Sequence, residues 1–198
     1  MLISLEKKLA IFAMPKCASS AIHAEFSRIN AIRLAGSPDV KHTNYMTWRL
    51  HLVPYLESLG FTGIETVCLF REPLDWLESH WRYRQRPAAR NGPNSTAGVS
   101  FEEFVELYVD GRRRPANLRS PARFVTDETG AVGIDRIWRY DHIDDFLAYV
   151  RGRLGRPARP KTRNVSPSRP PQPVAAELRA RFREHAAREY EIYERVAL

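Results

Sequence analysis

Residue types able to do chemistry gather in three short stretches. In LAIFAMPKCASSAIHAEF an apolar run ends at Pro15, Lys16 and Cys17, and Ala18, Ser19 and Ser20 then lead into a helical pattern. A lysine between a buried strand and a helix sits where neither element favours a charge. A loop from a strand's carboxyl end to a helix's amino end presents unpaired N–H groups, and the helix dipole adds positive potential, so this stretch suits an oxyanion. Small side chains let the anion approach the backbone, the hydroxyls add donors, and Lys16 adds a full charge. The bland alternative is a surface lysine beside an ordinary helix cap.

The second stretch is FREPLDWLESHW, where Arg71 closes an apolar run and Ser79 follows two helical turns later. A guanidinium can grip a phosphate bidentately and the serine can donate to the same group. Arg71 paired with Glu72 or Asp75 is the structural alternative. In the third stretch, VKHTNYMTW, His42 stands before a helical pattern. Histidine suits general-base work near neutral pH because its reference pKa is about 6.5. Glu25 and Glu6 are the carboxylate alternatives, whereas His23 and His51 fall inside helices and read as packing or surface residues.

The elements that must position these residues alternate. Leu9 to Ala13 reads as a buried strand, followed by a helix from Ser19 with Ala21, Ile22, Phe26 and Ile29 at helical spacing. Val40 to Thr43 reads as a strand end or loop before a helix, with Pro54 opening a second helical piece that Gly60 closes. Glu65 to Phe70 is a second buried strand, and the helix after it has Pro73 in its first turn and Leu74, Leu77 and Trp81 on one face. Ser100 with Glu103 at the capping-box position starts another helix. Arg136 to Tyr140 forms a strand whose following helix is entered through Asp141. RPARPKTRNVSPSRPPQP, residues 156–173, is a loop because its prolines forbid helix and central strand. Residues 174–198 form a C-terminal helix, amphipathic from Val174 to Val196, with Leu178, Phe182, Tyr190 and either Tyr193 or Ile192 inward. This order implies an α/β fold of three layers, a mostly parallel central sheet flanked by helices.

The chain has 198 residues, 43% of them hydrophobic, which suits a single domain over residues 1–198 with a sizeable core. No apolar run reaches the roughly 18 residues of a membrane span, and Glu6, Lys7 and Lys8 stand where a signal peptide would be apolar. The expectation is a cytoplasmic protein without a membrane span. Cys17 and Cys68 form no disulfide framework and no metal-ligand spacing, so no metal is expected. A net charge of +8, from 31 basic and 23 acidic residues, points to a polyanionic partner without selecting one.

The nucleotide-triphosphate P-loop, GxxxxGK[ST], compares poorly: its glycines are missing and Lys16 precedes the serines. The order Pro-Lys-x-x-Ser-Ser after a strand instead resembles the 5′-phosphosulfate loop of the PAPS-dependent sulfotransferases, written PKxGST or PKCxST. FREPLDWLESHW resembles their 3′-phosphate motif, RDPxxRxxSxY, with Glu72 in place of aspartate, Trp76 in place of the second arginine and Trp81 in place of tyrosine. GIDRIWRYDHIDDFLAYVRGRLG and the tail ending EYEIYERV are similar to the family's carboxyl half.

The resemblance implies the family's P-loop-NTPase-like fold and the donor 3′-phosphoadenosine 5′-phosphosulfate (PAPS), whose product is PAP, used without a metal. It implies cofactor contacts from Pro15, Lys16, Cys17, Ala18, Ser19 and Ser20, and from Arg71 and Ser79. It further implies contacts from the basic loop near the carboxyl end, where Arg163, Asn164, Ser166 and Arg169 would fold over the nucleotide. Glycan-type members carry a histidine or glutamate base in a His-x-x-aromatic context like that of His42. The acceptor is then a small-molecule or glycan hydroxyl.

Two other readings remain open at this point. A P-loop kinase lacks its GK[ST] order and a clear magnesium-binding aspartate. A basic nucleic-acid-binding protein could use Arg112, Arg113 and Arg114, although no aromatics interleave with that run to stack on bases.

Overall fold

The computed structural model describes residues 1–26, 28, 31–111, 116–156 and 171–196. Ile29, Arg112 to Arg114, Arg163, Asn164, Ser166 and Arg169 lie outside the described residues.

Five strands form one mixed sheet in the order β3-β1-β2-β4-β5, with β1 at Leu2–Ser4, β2 at Leu9–Ile11, β3 at Ile32–Arg33, β4 at Glu65–Phe70 and β5 at Arg136–Arg139. β2 and β4 run parallel, with Leu9 opposite Glu65 and Ile11 opposite Val67, and β4 and β5 run parallel too. β1 pairs antiparallel with both β2 and β3. The expected mostly parallel sheet is therefore corrected to a half-parallel one. The cause is the tight turn Leu5–Lys8, closed by the Lys8 N–H donating to the Leu5 carbonyl, which folds the first residues back as a hairpin. Strands as short as β1 and β3 carry no readable periodicity.

β4 is buried along nearly its whole length, as a central parallel strand covered on both faces must be. The helix after β2, α1, spans Ser19–Phe26. Val40 to Thr43 is not a strand end: Ser37 caps a short helix α2, Pro38–Lys41, and Pro38 fits its first turn. After Asn44 the chain coils through α3 (Tyr45–Thr47), a π-helical turn at Trp48–Leu52 and α4 (Val53–Ser58), which holds Pro54 in its first turn. α5 spans Pro73–Arg84, α6 Phe101–Val109 and α7 Ala122–Val125. Ser100 Oγ accepts the Glu103 N–H as an N-cap should.

Tyr140 leaves β5 to open a 3₁₀ turn before α8, Ile143–Arg153. The C-terminal helix is two helices, α9 (Ala176–His185) and α10 (Ala187–Arg195), broken at Ala186. Leu178, Phe182 and Ile192 are buried while Tyr190 and Tyr193 are half-buried. One core cluster joins the strands to α1, α7 and α8, with Phe26, Phe70 and Phe146 fully buried. A second joins α5, α6 and α9 through Leu77, Phe104 and Phe182. No helix among the described residues is long and apolar enough to cross a membrane.

Candidate functional site

Because β2 and β4 are adjacent and parallel, their carboxyl ends open side by side, where α/β sheets place ligands. The loop 12–18 leaves β2 and Arg71 leaves β4. Two bonds lock the loops together: Arg71 Nη1 donates to the Lys16 carbonyl at 3.0 Å and Trp76 Nε1 donates to the Pro15 carbonyl at 3.2 Å. Trp76 thus holds the Lys16 loop in position.

Within that loop Lys16 (φ 67) and Ala18 (φ 53) take the left-handed conformation on either side of Cys17. Such turns line up backbone N–H groups into an anion-binding concavity. Among the described residues the N–H groups of Lys16, Ala18, Ser19 and Ser20 donate to no protein acceptor. The Cys17 thiol points away from the opening: its side chain is in the core and burial pushes its pKa up to about 12, so only its backbone can serve a ligand.

A cleft of about 1350 Å³ opens over this edge, lined by Pro15, Lys16, Ala18, Ser19, Ser20, His42, Arg71 and Ser79. The three stretches singled out in the sequence therefore meet at one site. Among the described residues Lys16 faces no carboxylate; its ammonium lies 4.1 Å from the centroid of the Tyr83 ring. Burial, with the charges of Arg86 and Arg71, lowers its pKa to about 8. Arg71 is paired with Asp75, from Nε at 2.5 Å and Nη2 at 2.9 Å, and its guanidinium lies 4.5 Å from the centroid of the Tyr140 ring. Three of its five N–H donors are thereby used and two remain for a ligand. Glu72, the family's aspartate position, caps α5 by accepting the Asp75 N–H at 2.6 Å and receives the Tyr190 hydroxyl at 2.7 Å.

His42 Nδ1 lies 2.5 Å from the Ala13 carbonyl. A carbonyl can only accept, so Nδ1 bears the proton and Nε2 is left with its lone pair. Burial holds the His42 pKa below the usual value, against the pull of that carbonyl, and the ring is a neutral base near pH 7. The carboxylate alternatives lie elsewhere: Glu25 pairs with Arg151 at 2.7 Å, and Glu6 pairs with Lys7 on the surface, and neither lines the cleft. His23 is buried against the amino terminus, and His51 is exposed.

Several cleft residues escaped sequence reasoning. Lys41 Nζ donates to Ser20 Oγ at 2.8 Å, adding a second lysine at the loop. His80 and Tyr83 join Trp76 and Ser79 on the cleft-lining stripe of α5, spaced i, i+3, i+4, i+7, a signal the sequence did contain. His80 packs edge-on to Trp76, and burial lowers its pKa to about 2, so it is neutral. Arg119 and Arg123 reach the cleft from a loop and the four-residue α7, which no periodicity announces.

No family model matches the chain, and no solved structure matches it. A stretch of 107 residues is 34% identical to the 1,4-alpha-glucan branching enzyme GlgB of Novosphingobium aromaticivorans; it covers 50% of this chain and 13% of that protein. The chain thus spans a small fraction of that relative.

Proposed function

We propose that the protein is a sulfotransferase that moves the sulfuryl group of PAPS to a hydroxyl acceptor, carbohydrates being among the candidates. The observation that carries this reading is the convergence of Lys16, Arg71, Ser79 and His42 on one cleft above two parallel strand ends. The residues fit the nucleotide on three counts. Among the described residues four loop N–H groups lack protein acceptors, Lys16 lacks a carboxylate, and two buried polar atoms of cleft residues, His80 Nε2 and Asn94 Oδ1, have no partner.

When bound, the donor supplies an activated sulfuryl group on a phosphate leaving group. The N–H groups of Lys16, Ala18, Ser19 and Ser20 hold its 5′ end, with Ser19 and Ser20 adding hydroxyls. Arg71, oriented by Asp75, and Ser79 hold the 3′-phosphate. Lys16 stabilises negative charge on the leaving side, and loss of one such donor elsewhere costs about 10² to 10³ in rate. His42 Nε2 takes the acceptor's hydroxyl proton, a contribution of about 10² to 10⁴. Arg163, Asn164 and Ser166 of the carboxyl-end loop, outside the described residues, are an expected third contact from the resemblance alone.

Calorimetric titration with adenosine 3′,5′-bisphosphate tests this. The expected result is saturable heat with the wild type that Arg71→Ala removes; no heat with either protein overturns the proposal.

A further inference from the structure

Resting on that reading, we infer that the acceptor hydroxyl belongs to a molecule that itself carries a carboxylate, held by Arg119 and Arg123. The cleft is basic throughout: Lys16, Lys41, Arg71, Arg84, Arg86, Arg119 and Arg123 line it against one acid, Asp39. Lys16, Arg71 and Lys41 sit at the two phosphate loops. Arg119 and Arg123 line a separate wall, formed by α7 and the loop before it.

That wall adjoins the base. α7 packs against α3, which follows His42 closely in the chain. Phe124 meets Phe12 edge-on at 6.2 Å, and Phe12 directly precedes Ala13, whose carbonyl orients His42. An acceptor whose hydroxyl reaches His42 Nε2 therefore extends along the wall that carries Arg119 and Arg123.

Neither arginine faces a carboxylate among the described residues. Several other arginines are paired, as in Arg49 with Glu128, Arg136 with Glu65, Arg151 with Glu25 and Arg181 with Asp110. The acids that share a neighbouring hollow with Arg123 are committed to other partners. Asp127 binds Thr129 and the Ala131 N–H, Glu128 binds Arg49, and Glu189 receives the Ser120 hydroxyl. Two guanidiniums whose charge no carboxylate offsets, beside a general base, present forked donors that match a carboxylate. A neutral polyol leaves that charge uncompensated.

The test is fluorescence anisotropy with two labelled probes, hexagalacturonate and the neutral maltohexaose, with and without adenosine 3′,5′-bisphosphate, on the wild type and the Arg119→Ala/Arg123→Ala variant. Both substituted residues are exposed, so the fold is expected to survive. The inference requires that the wild type binds hexagalacturonate and not maltohexaose, that the double variant weakens this about tenfold or more, and that calorimetric binding of the bisphosphate is unchanged. Equal binding of both probes, binding of neither, or parallel loss of the bisphosphate in the variant overturns it; the last outcome assigns the arginines to the nucleotide. Arginine-dependent hexagalacturonate binding with no bisphosphate binding leaves the carboxylate site at Arg119 and Arg123 standing, while the sulfotransferase reading, and with it the acceptor role, fails.

Discussion

On the proposed reading, Lys16 makes nucleotide affinity depend on pH in a calculable way. In the free protein burial and the charges of Arg86 and Arg71 set its pKa near 8, with no carboxylate to raise it. A phosphate group held by the loop favours the charged ammonium, so the pKa rises on binding and binding takes up a proton. Affinity must then fall as pH rises through the free-state value. From about pH 7 to about pH 9 the protonated fraction of Lys16 drops from about nine-tenths to about one-tenth, and the affinity for adenosine 3′,5′-bisphosphate falls about tenfold. His80, near 2, and Cys17, near 12, stay out of this window; burial also lowers the Lys41 pKa, so the comparison is made in a Lys41→Arg background, which holds that charge fixed. Calorimetry across that range, in buffers of different ionisation enthalpy, reads both the slope and the proton uptake. Lys16→Arg keeps its charge and flattens the slope; Lys16→Met flattens it with weaker binding throughout. A wild-type affinity constant across the range, or a slope that survives Lys16→Met, would refute the placement of Lys16 against a phosphate.

Further outcomes follow from the same geometry. His42→Gln lowers sulfuryl transfer by about 10² to 10⁴ while bisphosphate affinity is kept, as compared by steady-state rates and calorimetry. Trp76→Phe leaves the half-buried Pro15 carbonyl without its donor and costs about 0.5–1.5 kcal/mol, read from urea denaturation midpoints. Ala18→Gly relieves a left-handed alanine at φ 53; the strain of about 1–2 kcal/mol outweighs the about 0.4–1 kcal/mol lost to a freer unfolded chain. The same denaturation assay therefore expects a small gain in stability.

The sequence disclosed the site better than the sheet. β4, α5 and the Lys16 loop were legible because a long apolar run, a proline in a first helical turn and a charge between two elements are strong local signals. The antiparallel hairpin of β1 and β2 was not, since three residues cannot display an alternation and the turn that folds them back holds no glycine or proline. The break at Ala186 was hidden because alanine is the best helix former and the apolar pattern continues on both sides. The pairing of Arg71 was open between Glu72 and Asp75, and only the cap that Glu72 provides for α5 leaves Asp75 as the partner. Arg119 and Arg123 depend on tertiary packing of a four-residue helix, which local spacing cannot reveal.

The central claim is a clamp with one phosphate site on each of two adjacent strand ends, and a crystal structure of the complex with adenosine 3′,5′-bisphosphate tests it most directly. The account predicts the 5′-phosphate against the N–H groups of Lys16, Ala18, Ser19 and Ser20 and Lys16 Nζ, with the 3′-phosphate against Arg71 and Ser79. A nucleotide bound outside this cleft, or bound in it with its two phosphates exchanged, would contradict it.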